Sequence, residues 1–207
     1  MRKTLLMLAV AGLSFSQSGI SPPVAGYVRD RSGAIRAVRG LGGSFVLEEP
    51  LFRGALAAAF SGRLGLVKTA DAVIAYDAAG NLLGRTEAPG GTAAFRFSES
   101  GAAAWVVLPE QGEVLRWIDM DFERAGGALS GPPGVVLDGG TAAETEGEYL
   151  IIRRADGRQT RLALGGAPLA VERMSENWLH VLLEDRSLAV RVQRNAVDAY
   201  RLPEAEP

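Results

Sequence analysis

The chain has no cysteine and a single histidine, His180, among its 207 residues. These absences exclude a good deal of chemistry. Without cysteine there are no disulfides, no thiol nucleophile and no cysteine to carry a lipid anchor. Zinc-type sites assembled from His and Cys are likewise out of reach. A Ser-His-Asp arrangement would have to recruit His180, and no Gly-x-Ser-x-Gly elbow occurs to present the serine. There is no phosphate-binding loop. The glycines at 40, 42 and 43 miss the dinucleotide pattern because Phe45 stands where its third glycine belongs. These motifs leave no catalytic residue, no metal site and no cofactor to assign.

Hydrophobic runs long enough for a membrane span are also missing. The first 18 residues carry Arg2-Lys3, an apolar run from Thr4 to Phe15, and small residues at Ser16-Gln-Ser18. That order is the plan of a secretory signal, and the run is shorter than the ~20 residues a span requires. The expectation is therefore a signal peptide at 1–18, one domain at 19–207, and a periplasmic or secreted protein with no membrane anchor after cleavage. Removing Arg2 and Lys3 takes the 22 basic residues to 20 against 24 acidic ones, a net charge of −4. A mildly acidic chain excludes nucleic acid as the natural partner. Lys68 is the one lysine left, so almost all positive charge is arginine. An arginine-rich binding surface and the codon bias of a GC-rich genome both account for that.

What is present is a recurring strand-and-turn unit. Apolar segments end in small or turn-forming residues at Phe60-Ser-Gly62, Phe97-Ser-Glu-Ser-Gly101, Leu137-Asp-Gly-Gly140 and Met174-Ser-Glu-Asn177, with the apolar residues 37, 40 and 37 positions apart. Second strands follow at 64–69, 103–108, 142–146 and 178–183. Third strands at 72–76, 113–118, 149–153 and 188–192 are rich in β-branched and aromatic residues. Fourth strands fit 82–86, 123–129, 159–164 and 197–202, after Asp77-Ala-Ala-Gly80-Asn81 and Ala155-Asp-Gly157, both hairpin signals. Ala55–Phe60 is too short for an independent helix. Self-similarity at this period marks radially repeated sheets.

Four units result, at 54–89, 92–131, 133–166 and 168–203. Tyr27-Val-Arg-Asp-Arg-Ser-Gly33 parallels Ile74-Ala-Tyr-Asp-Ala-Ala-Gly80, so 26–40 reads as a lone third-to-fourth-strand hairpin, with 44–52 adding a strand. The expected fold is an all-β, five-bladed β-propeller whose N-terminal blade, 26–52, is incomplete; a two-sheet β-sandwich is the alternative. Phe60, Phe97, Leu137 and Met174 are expected at equivalent, buried inner-strand positions. Residues 24–203 resemble the bacterial β-propeller repeat proteins of the WD40-like and YVTN-like kind. Trp117-Ile-Asp119 stands where a Trp-Asp pair closes a WD strand, while the Gly-His dipeptide and the YVTN tetrapeptide are absent. The resemblance implies architecture and no activity.

Two features bear on function. His180 lies in Trp178-Leu-His-Val-Leu-Leu183, a strand apolar on both faces, and reads as a buried, hydrogen-bonded structural residue. Asp119-Met-Asp121-Phe-Glu123 suggests calcium, but Arg124 occupies the place of the glycine an EF-hand loop requires, and a solvated turn is the plainer reading. The connections between second and third strands emerge on one face and hold Asp71, Glu110, Glu113, Glu144, Glu146, Glu148, Glu184 and Asp185. That acidic rim is the candidate ligand face, suited to a cationic or metal-bridged partner, although solvated loops are commonly charged. The function expected is an exported, non-catalytic binding or scaffold module for a protein or extracellular ligand. The alternative is a carbohydrate-binding or polysaccharide-active propeller using paired carboxylates, which would need two of them about 5–10 Å apart around a cleft. Trp105, Trp117 and Trp178 are expected in the core.

Overall fold

A computed structural model describes residues 22–98, 100–126 and 134–204; the leader expected at 1–18 lies outside them. Five antiparallel meanders follow one another along the chain. Blade 1 has three strands: β1 (Val24–Arg29), β2 (Ile35–Leu41) and β3 (Ser44–Phe52). Blade 2 comprises β4 (Ala57–Phe60), β5 (Leu64–Lys68), β6 (Ala72–Asp77) and β7 (Leu82–Glu87). Blade 3 comprises β8 (Ala94–Phe97), β9 (Ala104–Leu108), β10 (Glu113–Ile118) and β11 (Asp121–Ala125). Blade 4 comprises β12 (Val135–Val136), β13 (Ala142–Glu146), β14 (Tyr149–Arg153) and β15 (Gln159–Ala163). Blade 5 comprises β16 (Ala170–Arg173), β17 (Trp178–Leu182), β18 (Ser187–Val192) and β19 (Val197–Arg201). The fold is a five-bladed β-propeller whose first blade has three strands among the described residues.

Burial on both faces explains why these segments are strands without a polar side. Every residue of β5 is buried, and alternation sends neighbours to different interfaces. Leu66 packs toward blade 3 with Val106 and Trp117, whereas Val67 packs toward blade 1 with Ile35 and Phe60. Leu150, Ile152, Leu179 and Val181 fill the space between blades 4 and 5. Val28, Val38 and Phe45 meet Met174, Ala189 and Leu202 between blades 5 and 1. The core is thus a set of inter-blade layers rather than one central mass.

The innermost strands β4, β8, β12 and β16 form the ring, and β16 packs directly on β4. Among the described residues blade 1 supplies no innermost strand. Its β1 lies one position further out, between β4 and β17. The backbone N–H of Tyr27 donates to the Met174 carbonyl at 3.1 Å, and that of Ala55 to the Gly33 carbonyl at 2.8 Å. The Ser175 hydroxyl donates to the Ala25 carbonyl at 2.9 Å. Residues 24–52 are therefore second, third and fourth strands, which corrects the expected third-to-fourth hairpin. The two turns share one local chemistry, because Asp30 Oδ1 accepts from the N–H groups of Ser32 and Ala34 as Asp77 Oδ1 does from those of Ala79 and Asn81. Such a turn closes any hairpin, and nothing in it records which strand pair it joins.

Phe60, Phe97, Leu137 and Met174 are all buried, yet they are not equivalent. The hydrogen bond that closes each first hairpin comes from the N–H of Ser61, Ser98, Leu137 and Met174. The counterparts of Phe60 and Phe97 are consequently Val136 and Arg173, one residue earlier. A one-residue slip swaps faces, and Leu137 and Met174 indeed pack toward the following blade while Phe60 and Phe97 pack toward the preceding one.

A Cβ on Gly26 would run into the carbonyl oxygen and Cγ of Met174. Met174→Ala is expected to cost about 2–5 kcal/mol, and Gly26→Ala to lower the urea midpoint as well, since backbone must shift at the seam. Leu41→Ala, at a position 72% exposed, should stay within about 0.5 kcal/mol of the parent. Equal midpoints for all three variants would contradict this packing.

Candidate functional site

The short ring encloses a funnel of about 600 Å³, within the ~300–1,000 Å³ usual for ligand sites. Its walls are the starts of the four innermost strands, small and apolar: Ala57, Ala59, Ala94, Val135, Ala170 and Val171. The mouth opens on the rim that carries the second-to-third-strand turns, where Leu56 and Leu169 are 43% and 66% exposed. The far end is closed by Arg173, which is buried. Its guanidinium lies 5.0 Å from the Phe97 ring centroid and donates to the carbonyls of Ser175 (3.1 Å) and Val136 (3.3 Å). An arginine stands here where blades 2 and 3 have Phe60 and Phe97, and its guanidinium satisfies two carbonyls that a phenyl ring would leave bare.

Charge in the walls is compensated in place. Arg29 Nε donates to Glu172 Oε1 at 2.8 Å, with both side chains mostly buried. Glu144 pairs with Arg153 at 3.3 Å. Arg29 reaches the funnel from β1. Sequence reasoning missed Arg29, Glu172 and Arg173, since each looks like an ordinary strand residue. The four-residue stretch of β16 with two consecutive charges was the available signal.

Of the expected rim residues, Asp71, Glu110, Glu184 and Asp185 lie in second-to-third-strand turns of different blades, as does Glu148, whereas Glu113 begins β10 and Glu144 and Glu146 lie within β13. Asp71 accepts from the Thr69 hydroxyl at 2.7 Å and from Arg85 at 2.6 Å, and these contacts hold its carboxyl below the usual range. Glu113 lies 3.8 Å from Arg124, and Asp185 is paired with Arg186 at 2.6 Å. Lys68 is buried and donates to the carbonyls of Thr69 (2.5 Å) and Gly90 (2.6 Å). Burial pushes its pKa down while Asp71 and Glu110 act in the opposite sense. Among the described residues Glu110, Glu146 and Glu184 have no ion-pair partner. No three His, Asp or Glu side chains among the described residues converge as metal ligands.

His180 is buried, but its Nδ1 has no hydrogen-bond partner and stands 3.8 Å from Glu172 Oε2, which corrects the hydrogen-bonded expectation. The Asp119 run is a tight turn with Asp119 and Met120 at φ 50° and 66°, opening directly into β11. Trp117 is buried between blades 2 and 3, and Trp105 and Trp178 are half-buried. No tryptophan lines the funnel.

No protein-family model matches the chain, and no curated protein does. Among solved structures it is similar to a streptogramin B lyase, with 18% identity, a TM-score of 0.33, and coverage of 72% of this chain and 55% of that one. It is similar to a eukaryotic initiation factor at 15% identity and a TM-score of 0.37, covering 89% and 54%. A third likeness is to PorZ, a surface component of the type-IX secretion system of Porphyromonas gingivalis, at 14% identity and a TM-score of 0.30, covering 83% and 25%. The chain thus spans about half the length of the first two. The propeller assignment rests on the strand pairing and ring closure described above. No helix among the described residues is long and apolar enough to cross a membrane.

Asp30 fixes the turn beside the mouth. Its Oδ1 accepts from the Ser32 hydroxyl and two backbone N–H groups, and its Oδ2 from Arg36 at 2.8 Å. Burial opposes the charge, yet these hydrogen bonds outweigh it and hold the carboxyl below its ordinary value. The stabilisation is present above the unfolded-chain value and lost as pH falls through the lower folded one. Asp30→Ala is expected to cost about 3 kcal/mol, because it leaves Arg36 unpaired. The stability gap between parent and Asp30→Asn should close in acid. A gap that widens on acidification would contradict the assignment.

Proposed function

We propose that the protein is an exported, non-catalytic binding propeller that seats an apolar group of its partner in the funnel. The observation that carries this reading is an alanine- and valine-walled funnel with two exposed leucines at its lip. Burying such a lip against water contributes about 25 cal/mol per Å², and rigid blades present it at little ordering cost. Glu110, Glu146 and Glu184, with the paired Asp71, Glu113, Glu144 and Asp185 around them, lie on the same face. They favour a protein or extracellular ligand with basic groups flanking its apolar anchor, acting on encounter rate and salt dependence. The basic, apolar and small-residue order of 1–18 supports export. Non-catalytic action fits the walls, where Glu144 and Glu172 are each held by an arginine and no tryptophan or tyrosine offers a sugar platform.

The neutral dye N-phenyl-1-naphthylamine tests the funnel without a known partner. Saturable one-site binding is expected, at least tenfold weaker in Leu56→Asp/Leu169→Asp and lost in Ala94→Trp, with thermal midpoints unchanged. Ala94 is an exposed wall residue, so the larger ring fills the mouth and not the core. Dye binding indifferent to these variants would overturn the reading. So would turnover of a polysaccharide that Glu144→Gln or Glu172→Gln abolishes.

A further inference from the structure

A second cavity, of about 460 Å³, lies outside the funnel at the seam where blade 5 meets blade 1. Its accessible apolar wall is Leu47 and Pro203, over the buried Val28 and Leu202, and its polar wall holds four arginines, at 31, 36, 53 and 186, with His180. The local carboxylates are already committed. Asp30 is saturated by Arg36 and its own turn, Asp185 is paired with Arg186, and Glu204 with Arg201 outside the cavity. Among the described residues Arg31 donates to the Leu183 carbonyl alone, and Arg53 has no ion-pair or hydrogen-bond partner. Two guanidinium charges are therefore uncompensated next to an apolar surface. Guanidinium is the side chain best matched to a carboxylate, which it can bind in bidentate fashion.

We infer that this seam cleft binds a carboxylate carried on a short apolar body, with Arg31 and Arg53 on the carboxylate and Leu47 and Pro203 on the body. The site is separate from the funnel, though His180 stands between them: it lines the cleft, and its Nδ1 faces Glu172 in the funnel wall. Arg31 also ties blade 1 to blade 5, so an occupant would bridge the two blades that close the ring.

His180 is the single histidine of the chain, so its ring Cε1–H proton is an unambiguous NMR reporter in the tag-free protein. Titration with hexanoate is expected to shift this resonance saturably. Hexanol, which lacks the carboxylate, should bind at least tenfold more weakly, and so should hexanoate to Arg31→Gln/Arg53→Gln. Should the double variant prove unfolded, Arg53→Gln alone, which removes an exposed side chain with no partner, must still weaken hexanoate measurably. Equal affinities for hexanoate and hexanol, or for parent and Arg53→Gln, would overturn the assignment. Tighter binding of inorganic phosphate than of hexanoate would overturn the apolar-body part of it.

Discussion

A ring of separate sheets has to close without a covalent link, and in this protein closure depends on one strand wedged between two blades. β1 gives its flank to β4 and β17, and a few hydrogen bonds fix its height: the main-chain bonds of Tyr27 to Met174 and Ala55 to Gly33, and the Ser175 hydroxyl to the Ala25 carbonyl. Gly26 permits the approach because it has no Cβ to meet Met174. The aromatic contacts of Phe45 with Trp178 and Tyr200, at 5.5 and 6.0 Å, finish the outer part of the seam. Among the described residues blade 1 gives no innermost strand, and four strands, β4, β8, β12 and β16, surround the axis. The funnel is correspondingly lined by small residues, and Arg29 enters it from the second layer.

The arginine content has a structural use. Strand ends leave carbonyls that no ladder satisfies, and arginines from neighbouring blades cap several of them. Arg31 reaches Leu183, Arg154 reaches Gln193, Arg158 reaches Arg194 and Arg186 reaches Leu164. Each bond joins different blades, three of them between blades 4 and 5. Neither a binding surface nor codon bias alone accounts for these residues, since a long stem with several donors is what a cross-blade cap requires.

The repeat period and the hairpin turns were legible because they depend on local chemistry: glycine and Asx turns at fixed offsets, and apolar strands between them. Blade position was not. The Asp30 and Asp77 turns read alike although they lie on opposite rims. Register at the inner strands was hidden for a related reason, since Val136-Leu137 and Arg173-Met174 each offer two residues that a buried position accepts. The acidic rim was visible as a set of sequence positions, whereas the pairing of Asp71, Glu113, Glu144 and Asp185 with Arg85, Arg124, Arg153 and Arg186 is seen only in the folded sheets. The funnel residues Arg29 and Glu172 are 143 positions apart, beyond the reach of any spacing argument.

Native-state hydrogen exchange at the Tyr27 and Ala55 amides tests the closure account most directly, because both protons are held at the seam. If β1 is integral to the ring, the two amides exchange only through global unfolding, with the same opening free energy and denaturant slope as the amides of Leu66 and Leu150. Exchange of Tyr27 and Ala55 through a lower-energy opening of residues 24–52 alone would contradict it, and would mean that blades 2 to 5 hold their arrangement without the first.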